Sequence, residues 1–196
     1  MPERPQLNAV GDLVLTDPQA LRALAEPSRL ALFDLLRRGG PATVAALSAQ
    51  LPAAEGHTQA HLEELERFGF VERGDGPEGA EGRWQAVGAG VFFELPDDDP
   101  DGQAAARQLS NVMMLQYVDL PRRWIAEVEP RLELEWVRVA GLFNARVNMT
   151  AAELGQLQEG LERLMEPFTT RAANAAPRGA RPMRLLAYFM PEVAGS

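Results

Sequence analysis

Between Asp17 and Arg38 apolar residues recur at three- and four-residue spacing, interrupted by one proline. That pattern predicts two helices. Asp17 is a good N-cap with Pro18 behind it, the preferred order at a helix start, and this first helix ends near Ala25. Pro27 opens the second, which runs to about Arg38 with Leu30, Phe33 and Leu36 or Leu35 facing inward. Gly39, Gly40 and Pro41 stop it.

From Ala42 to Val71 the pattern predicts two more short helices and the start of a strand. Thr43 caps the first, with Val44, Leu47 and Leu51 on one face, and Pro52 cannot continue it. The second runs from about Glu55 to Phe68, with Leu62, Leu65 and Phe68 on a narrow apolar face. Gly69 suits the position just past its end, where a positive φ is needed. Helix, tight turn and helix is the unit that sets its second helix in a DNA major groove. A hairpin follows over Val71–Val87, its strands Val71–Arg73 and Arg83–Val87 joined by the loop GDGPEGAEG. Asp75, Glu78 and Glu81 lie in that loop, and Trp84 is expected to pack beneath it.

Residues 1–16 read as a tail, with Val10, Leu13, Val14 and Leu15 apolar enough to pack on a partner subunit. Residues 96–102, PDDDPDG, read as an acidic linker. Beyond it, Gln103 to Asp119 carries Leu109, Val112, Met113 and Gln116 at helical spacing, and Trp124, Ile125 and Val128 extend the stripe past Pro121. Residues 131–149 have β character, most clearly where Phe143, Ala145, Val147 and Met149 alternate with Asn144, Arg146 and Asn148. A register shift near Gly141 implies a bulge or break. Thr150 and Glu153 form a capping box for a helix bearing Leu154, Leu157, Leu161, Leu164, Met165 and Phe168. Met183–Met190 reads as a final strand, apolar on both faces. The expected fold class is α+β: a winged helix-turn-helix over residues 17–95, then a helix-strand-helix-strand domain over residues 103–196.

Composition narrows the chemistry. The chain has 196 residues, 46% hydrophobic, so a substantial core is expected. There is no cysteine, which excludes disulfides and thiolate metal sites. No apolar run approaches membrane-spanning length and the N-terminus lacks the apolar stretch of a signal peptide, so a cytoplasmic protein without membrane association is expected. All 19 basic residues are arginine, a bias that fits a GC-rich genome and also suits bidentate phosphate contact. Residues 1–95 carry 8 arginines against 14 acids, a balance of −6. Any positive surface there must come from local placement rather than from the total.

Read from Leu47, the chain runs LSAQLPAAEGHTQAHLEELERFGFV. This resembles the helix-turn-helix of the arsenic-repressor-like (ArsR-like) winged-helix regulators, with Leu47, His61, Leu62, Leu65, Gly69 and Val71 at matching positions. The stretch from Asp17 to Leu36, with its A-E-P-S-R turn at Ala25 to Arg29, resembles the opening helices of the same family. The C-terminal segment resembles an appended domain of a subgroup. The likeness spans roughly residues 17–192. Ala54 stands where the family has its capping serine and Ala60 where it has a basic arginine, while His57, Thr58 and Gln59 replace its Thr-Val-Ser.

The resemblance implies a homodimeric DNA-binding transcriptional regulator, a repressor, with double-stranded DNA as partner. His57, Thr58 and Gln59 would face bases, with Thr43 and His61 beside them, and Arg73 and Arg83 would hold phosphates. Two alternatives stand with it. The acidic balance, the alanines at 54 and 60 and the run Glu63, Glu64, Glu66 suit a winged helix that binds protein. A small-molecule sensor would place Tyr117, Trp124, Trp136, Phe143 and Arg146 around a C-terminal pocket, although the aromatics equally suit a dimer core. His57, His61 and Glu64 share one helix face at metal-ligand spacing, but a fourth ligand is not evident and no metal site is expected. No cofactor is implied. No nucleophile, base or phosphate-binding pattern points to catalysis.

Overall fold

The computed structural model describes residues 4–74, 82–93, 98–171 and 175–192. Strands β1 (Gln6–Leu7) and β2 (Leu13–Leu15) precede helices α1 (Pro18–Leu24), α2 (Pro27–Gly39) and α3 (Val44–Gln50). A 3-10 turn (Pro52–Ala54) leads to α4 (Thr58–Arg67), then β3 (Val71–Gly74), β4 (Arg83–Ala86) and β5 (Val91–Phe93). Helices α5 (Pro100–Tyr117), α6 (Leu120–Arg123), α7 (Leu134–Val137) and α8 (Ala151–Thr169) complete the chain. The fold is α+β.

Local chemistry sets the helix starts. The Asp17 carboxylate accepts from the Gln19 N–H at 2.8 Å, and Pro18 follows it. The Glu26 carboxylate accepts from the Arg29 N–H at 2.7 Å at the head of α2. Burial pushes that carboxyl up, but the backbone N–H groups of Arg29 and Ser28, with His61, outweigh it and hold Glu26 below its ordinary value. The Thr43 hydroxyl accepts from the Ala46 N–H at 3.2 Å. Both halves of the Thr150 box form, with the Glu153 carboxylate accepting from the Thr150 N–H at 2.7 Å.

The core lies between the helices of the first hundred residues. Leu30, Leu32, Phe33 and Leu36 of α2 are buried, and Leu35 is half-buried. Phe33 meets Phe70 edge to face, with ring centroids 5.8 Å apart. Leu47 of α3, Leu62 and Leu65 of α4 and Trp84 of β4 close the same cluster, as do Ala105, Ala106 and Leu109 of α5. Gly69 has a φ of 76° and turns the chain out of α4 toward Phe70; a Cβ there would also press on Pro5 at 3.2 Å.

Several expectations change. The N-terminal segment is not a tail: β1 pairs antiparallel with β2, and β2 pairs parallel with β5, Leu13 opposite Val91 and Leu15 opposite Phe93. Leu13 and Leu15 are buried, so their apolar run packs on this chain's own core. The acidic stretch is not all linker: Pro100 begins α5, and the Asp99 carboxylate caps it by accepting from the Asp101 N–H at 3.0 Å. Residues 96 and 97 lie outside the described residues, as does the wing loop at 75–81 with Asp75, Glu78 and Glu81. The hairpin pairs as expected, Val71 opposite Ala86 and Gly74 opposite Arg83, with Trp84 buried under it.

The C-terminal strands are the largest departure. The region expected to be β over residues 131–139 folds instead as a 3-10 turn and the short α7. A strand needs a neighbour to satisfy its backbone. Here the segment satisfies itself, with the Ala140 N–H donating to the Trp136 carbonyl at 2.8 Å. Residues 141–149 and 182–192 form neither helix nor strand. Their side chains are open: Phe143 is 89% exposed and Met190 73%. Helix α8 forms as expected but buries none of its residues, and Leu164 is 72% exposed.

The Phe33 contact yields a direct check. Phe33→Ala is expected to lower the unfolding free energy by about 3–5 kcal/mol, read from urea midpoints, because it opens a cavity where α2, α4 and β3 meet.

Candidate nucleic-acid interface

Helix α4 is shorter than its apolar pattern suggested. It begins at Thr58, because Pro52 starts a 3-10 turn and Gly56, with φ 78°, breaks the chain before the helix can start. His57 precedes α4, exposed, and its side chain makes no capping bond.

Thr58 does not face outward. It is 2% exposed; its hydroxyl donates to the Ala54 carbonyl at 3.0 Å and accepts from the Ser48 hydroxyl at 2.8 Å. It therefore pins α4 to α3 and sets the angle of the turn, and it is corrected from a base-facing to a positioning residue. A buried threonine and an exposed one look alike in sequence; the signal was Ser48, ten residues earlier, able to return the bond.

The other expected residues divide. Gln59 is exposed, and its amide N–H donates to the Glu63 carboxylate at 2.6 Å. His61 is half-buried, with Nδ1 3.9 Å from the Glu26 carboxylate at the head of α2. Thr43 holds the head of α3 and is half-buried. On the hairpin, Arg73 stacks 4.5 Å over the Trp84 ring and lies 3.6 Å from Glu66. Arg67, on α4, pairs with Glu64 at 3.4 Å and stacks on Phe68. Arg83 is exposed and makes no ion pair among the described residues.

The exposed residues of this unit thus include His57 ahead of α4, Gln59, Ala60 and Glu63 from α4, and Arg83 from β4. Arginines 67 and 73 are engaged by neighbouring carboxylates. Exposed ion pairs of this kind are worth about 0–1 kcal/mol, so an approaching phosphate can take either guanidinium at little cost. Among the described residues no group of three or more histidines or acids comes together as metal ligands, and the His57 and His61 rings stand 6.3 Å apart.

The five residues expected around a C-terminal pocket are not gathered into one. Tyr117 is buried and Trp124 half-buried, but Phe143 and Arg146 stand in solvent, Arg146 paired with Glu192. Trp136 lies 5.0 Å under the Arg181 guanidinium. Tyr117 instead belongs to a polar cluster that the sequence reading missed. The carboxylate of Asp34, a buried residue of α2, accepts from Arg37 at 3.3 Å and from Gln116 and Arg184 at 3.4 Å. Burial, together with Asp34, pushes the Tyr117 hydroxyl from 10.0 up to about 12, against the pull of Arg184 and Arg37. The available signal was a lone aspartate inside the apolar run LALFDLL.

Residues 24–74 match the family model described as a helix-turn-helix domain. No curated protein matches the chain. The matched stretch spans α2 to β3, the elements that carry Thr43, Thr58, Gln59 and His61, and the chain carries a helix-turn-helix domain of the kind that binds DNA. No helix among the described residues is long and apolar enough to cross a membrane.

Two outcomes follow from this geometry. Thr58→Val keeps the shape but removes both hydroxyl bonds, and is expected to cost about 1–3 kcal/mol in denaturant unfolding, while Thr58→Ser retains most of it. The Tyr117 proton is held more tightly in the folded chain than in the unfolded one, so its contribution is whole below pH 10 and is lost as pH rises to about 12. Between those limits the melting temperature of Tyr117→Phe is expected to fall less steeply than that of the parent chain.

Proposed function

We propose that the chain is a homodimeric, DNA-binding transcriptional regulator, most simply a repressor, working in the cytoplasm and without catalysis of its own. The observation that carries this reading is the helix-turn-helix over residues 24–74, with the start of α4 pinned to α3 by the Thr58–Ser48 lock. His57 and Gln59 would read base edges, each good contact being worth about 1–3 kcal/mol. Arg83, with Arg73 beside it, would hold phosphates flanking the groove.

Dimerisation is supported by the apolar surface left open beyond α5. Leu157 and Leu164 of α8, with Phe143, Val147 and Leu185, are all exposed in the single chain. Large apolar side chains left open in such number suit an interaction surface. A twofold partner would bury them and set the two copies of α4 about 34–36 Å apart, one DNA turn. An effector, on this reading, would act at the C-terminal surfaces rather than in a preformed pocket.

One observation favours a second reading, in which the winged helix binds protein. The Gln59 amide is turned onto Glu63, and Glu55, ahead of α4, also stands in solvent, so two carboxylates lie exposed around the first turns of α4. Selecting genomic fragments on the immobilised chain and then titrating salt separates the two. DNA recognition gives enriched fragments whose affinity falls linearly with log salt; no fragment bound better than random DNA at low salt sinks it. Leu164→Asp is expected to yield monomers in sedimentation and to lose fragment binding together with the dimer.

A further inference from the structure

The segment 177–192 is the last described part of the chain, and it forms no helix or strand. Side chains hold it instead. Arg181 lies over Trp136 and donates to Glu133 at 2.7 Å. Arg184 lies 5.0 Å over the Tyr117 ring and donates to Asp34 through both terminal nitrogens at 3.4 Å. Glu192 pairs with Arg146. Two of these three anchors repeat one design: a guanidinium laid on an aromatic ring and tied to a carboxylate.

The anchors differ in depth. The Glu133 and Arg146 pairs are exposed and contribute little. The Asp34 side chain is only 4% exposed, whereas Arg184 is 32% exposed. The seat is therefore buried and its occupant can be reached from solvent. Asp34 supplies the charge, Tyr117 the ring face and Gln116 a second bond to the same carboxylate oxygen. A flat guanidinium fits such a seat in a way that a compact ammonium does not.

The seat is built to release as well as to hold. Losing one partner of a buried pair ordinarily strands a charge, at a cost of several kcal/mol. Here Arg37 stays on the other carboxylate oxygen at 3.3 Å, so Asp34 is not stranded when Arg184 leaves. Arg37 also donates to the Ala89 carbonyl, next to β5. Asp34 is one residue from Phe33 in the core, and α2 packs directly on α4. The seat thus touches the C-terminal segment on one side and the support of the helix-turn-helix on the other.

We propose that Asp34, Gln116 and Tyr117 form a guanidinium-binding seat whose ligand is Arg184 of the chain's own C-terminal segment, and that seating and release of this residue couples the segment to α2. The inference stands whether or not the chain binds DNA.

Limited trypsin digestion of the full chain tests it. Trypsin cuts at Arg184–Leu185 only when Arg184 has left the seat, so with fast opening the rate follows the open population. Arg178–Gly179, outside the seat, serves as the internal reference, and each rate is scaled to that of a free peptide of residues 176–192. The parent chain is expected to be cut at 184 roughly fivefold or more slowly than at 178 after scaling. Asp34→Asn and Arg184→Lys are each expected to abolish that protection. Arg184→Lys changes a residue outside the core and keeps both the positive charge and the cleavage site, so it covers the case in which Asp34→Asn fails to fold. Equal scaled cutting at 184 and 178 in the parent chain overturns the seat. Unchanged protection in Arg184→Lys overturns its preference for a planar cation.

Discussion

The edge-to-face contact between Phe33 and Phe70 is where the folded part of this chain is tied together. Both rings are fully buried. One comes from the middle of α2 and the other from the first residue after the Gly69 turn, so the contact fixes α4 between its own ends. Leu62 and Leu65 then have a single way to lie on α2, and Trp84 closes the cluster from the hairpin. Everything offered to the outside follows from that arrangement. With the apolar face of α4 committed, the opposite side carries Gln59, Ala60, Glu63 and Arg67, with His57 just ahead of the helix, whatever their chemistry.

Electrostatics divides the surface of the same unit. Arginines 67 and 73 are each shared between a carboxylate and an aromatic ring, and Arg83 on β4 has no ion pair among the described residues. The overall balance of the first half is acidic, but three of its eight arginines, Arg67, Arg73 and Arg83, sit at the end of α4 and along the hairpin. Beyond a Debye length of about 8 Å exposed charges are largely screened, so the charges that bear on this face are the ones beside it. Glu63, held by Gln59, is the group most opposed to phosphate on that side.

Helix boundaries were legible wherever their cause was local. Asp17, Thr43 and Thr150 announce their helices and cap them as read. The hairpin was legible from its glycines and its flanking Val71 and Trp84. What escaped depends on distant partners. Strand β2 is three residues long; one neighbour, Gln6–Leu7, is only two residues long and the other comes from distant Val91–Phe93, so its local sequence marks it only weakly as a strand. Asp34 gives no hint of Gln116 or Arg184, 82 and 150 positions away. Thr58 looked like a reader of bases because its type suits that task; its burial is decided by Ala54 and Ser48. The alternation over 143–149 is that of a strand, but within one chain it has no ladder to join.

The parallel pairing of β2 with β5 also orders events in time. Leu13 and Val91 are partners 78 residues apart along the chain, and the whole helix-turn-helix lies inside the loop they close. Closing a loop of that length costs on the order of 4 kcal/mol in chain entropy before any bond forms. The helices between need contacts only among themselves, so they can pack first. During synthesis, Leu13 to Leu15 can pair with Gln6–Leu7 early, but their second neighbour is complete only when Phe93 has left the ribosome. For that interval one edge of three consecutive apolar residues has no partner strand, and the speed of the closing step, rather than the strength of any contact, decides how long that edge stays open.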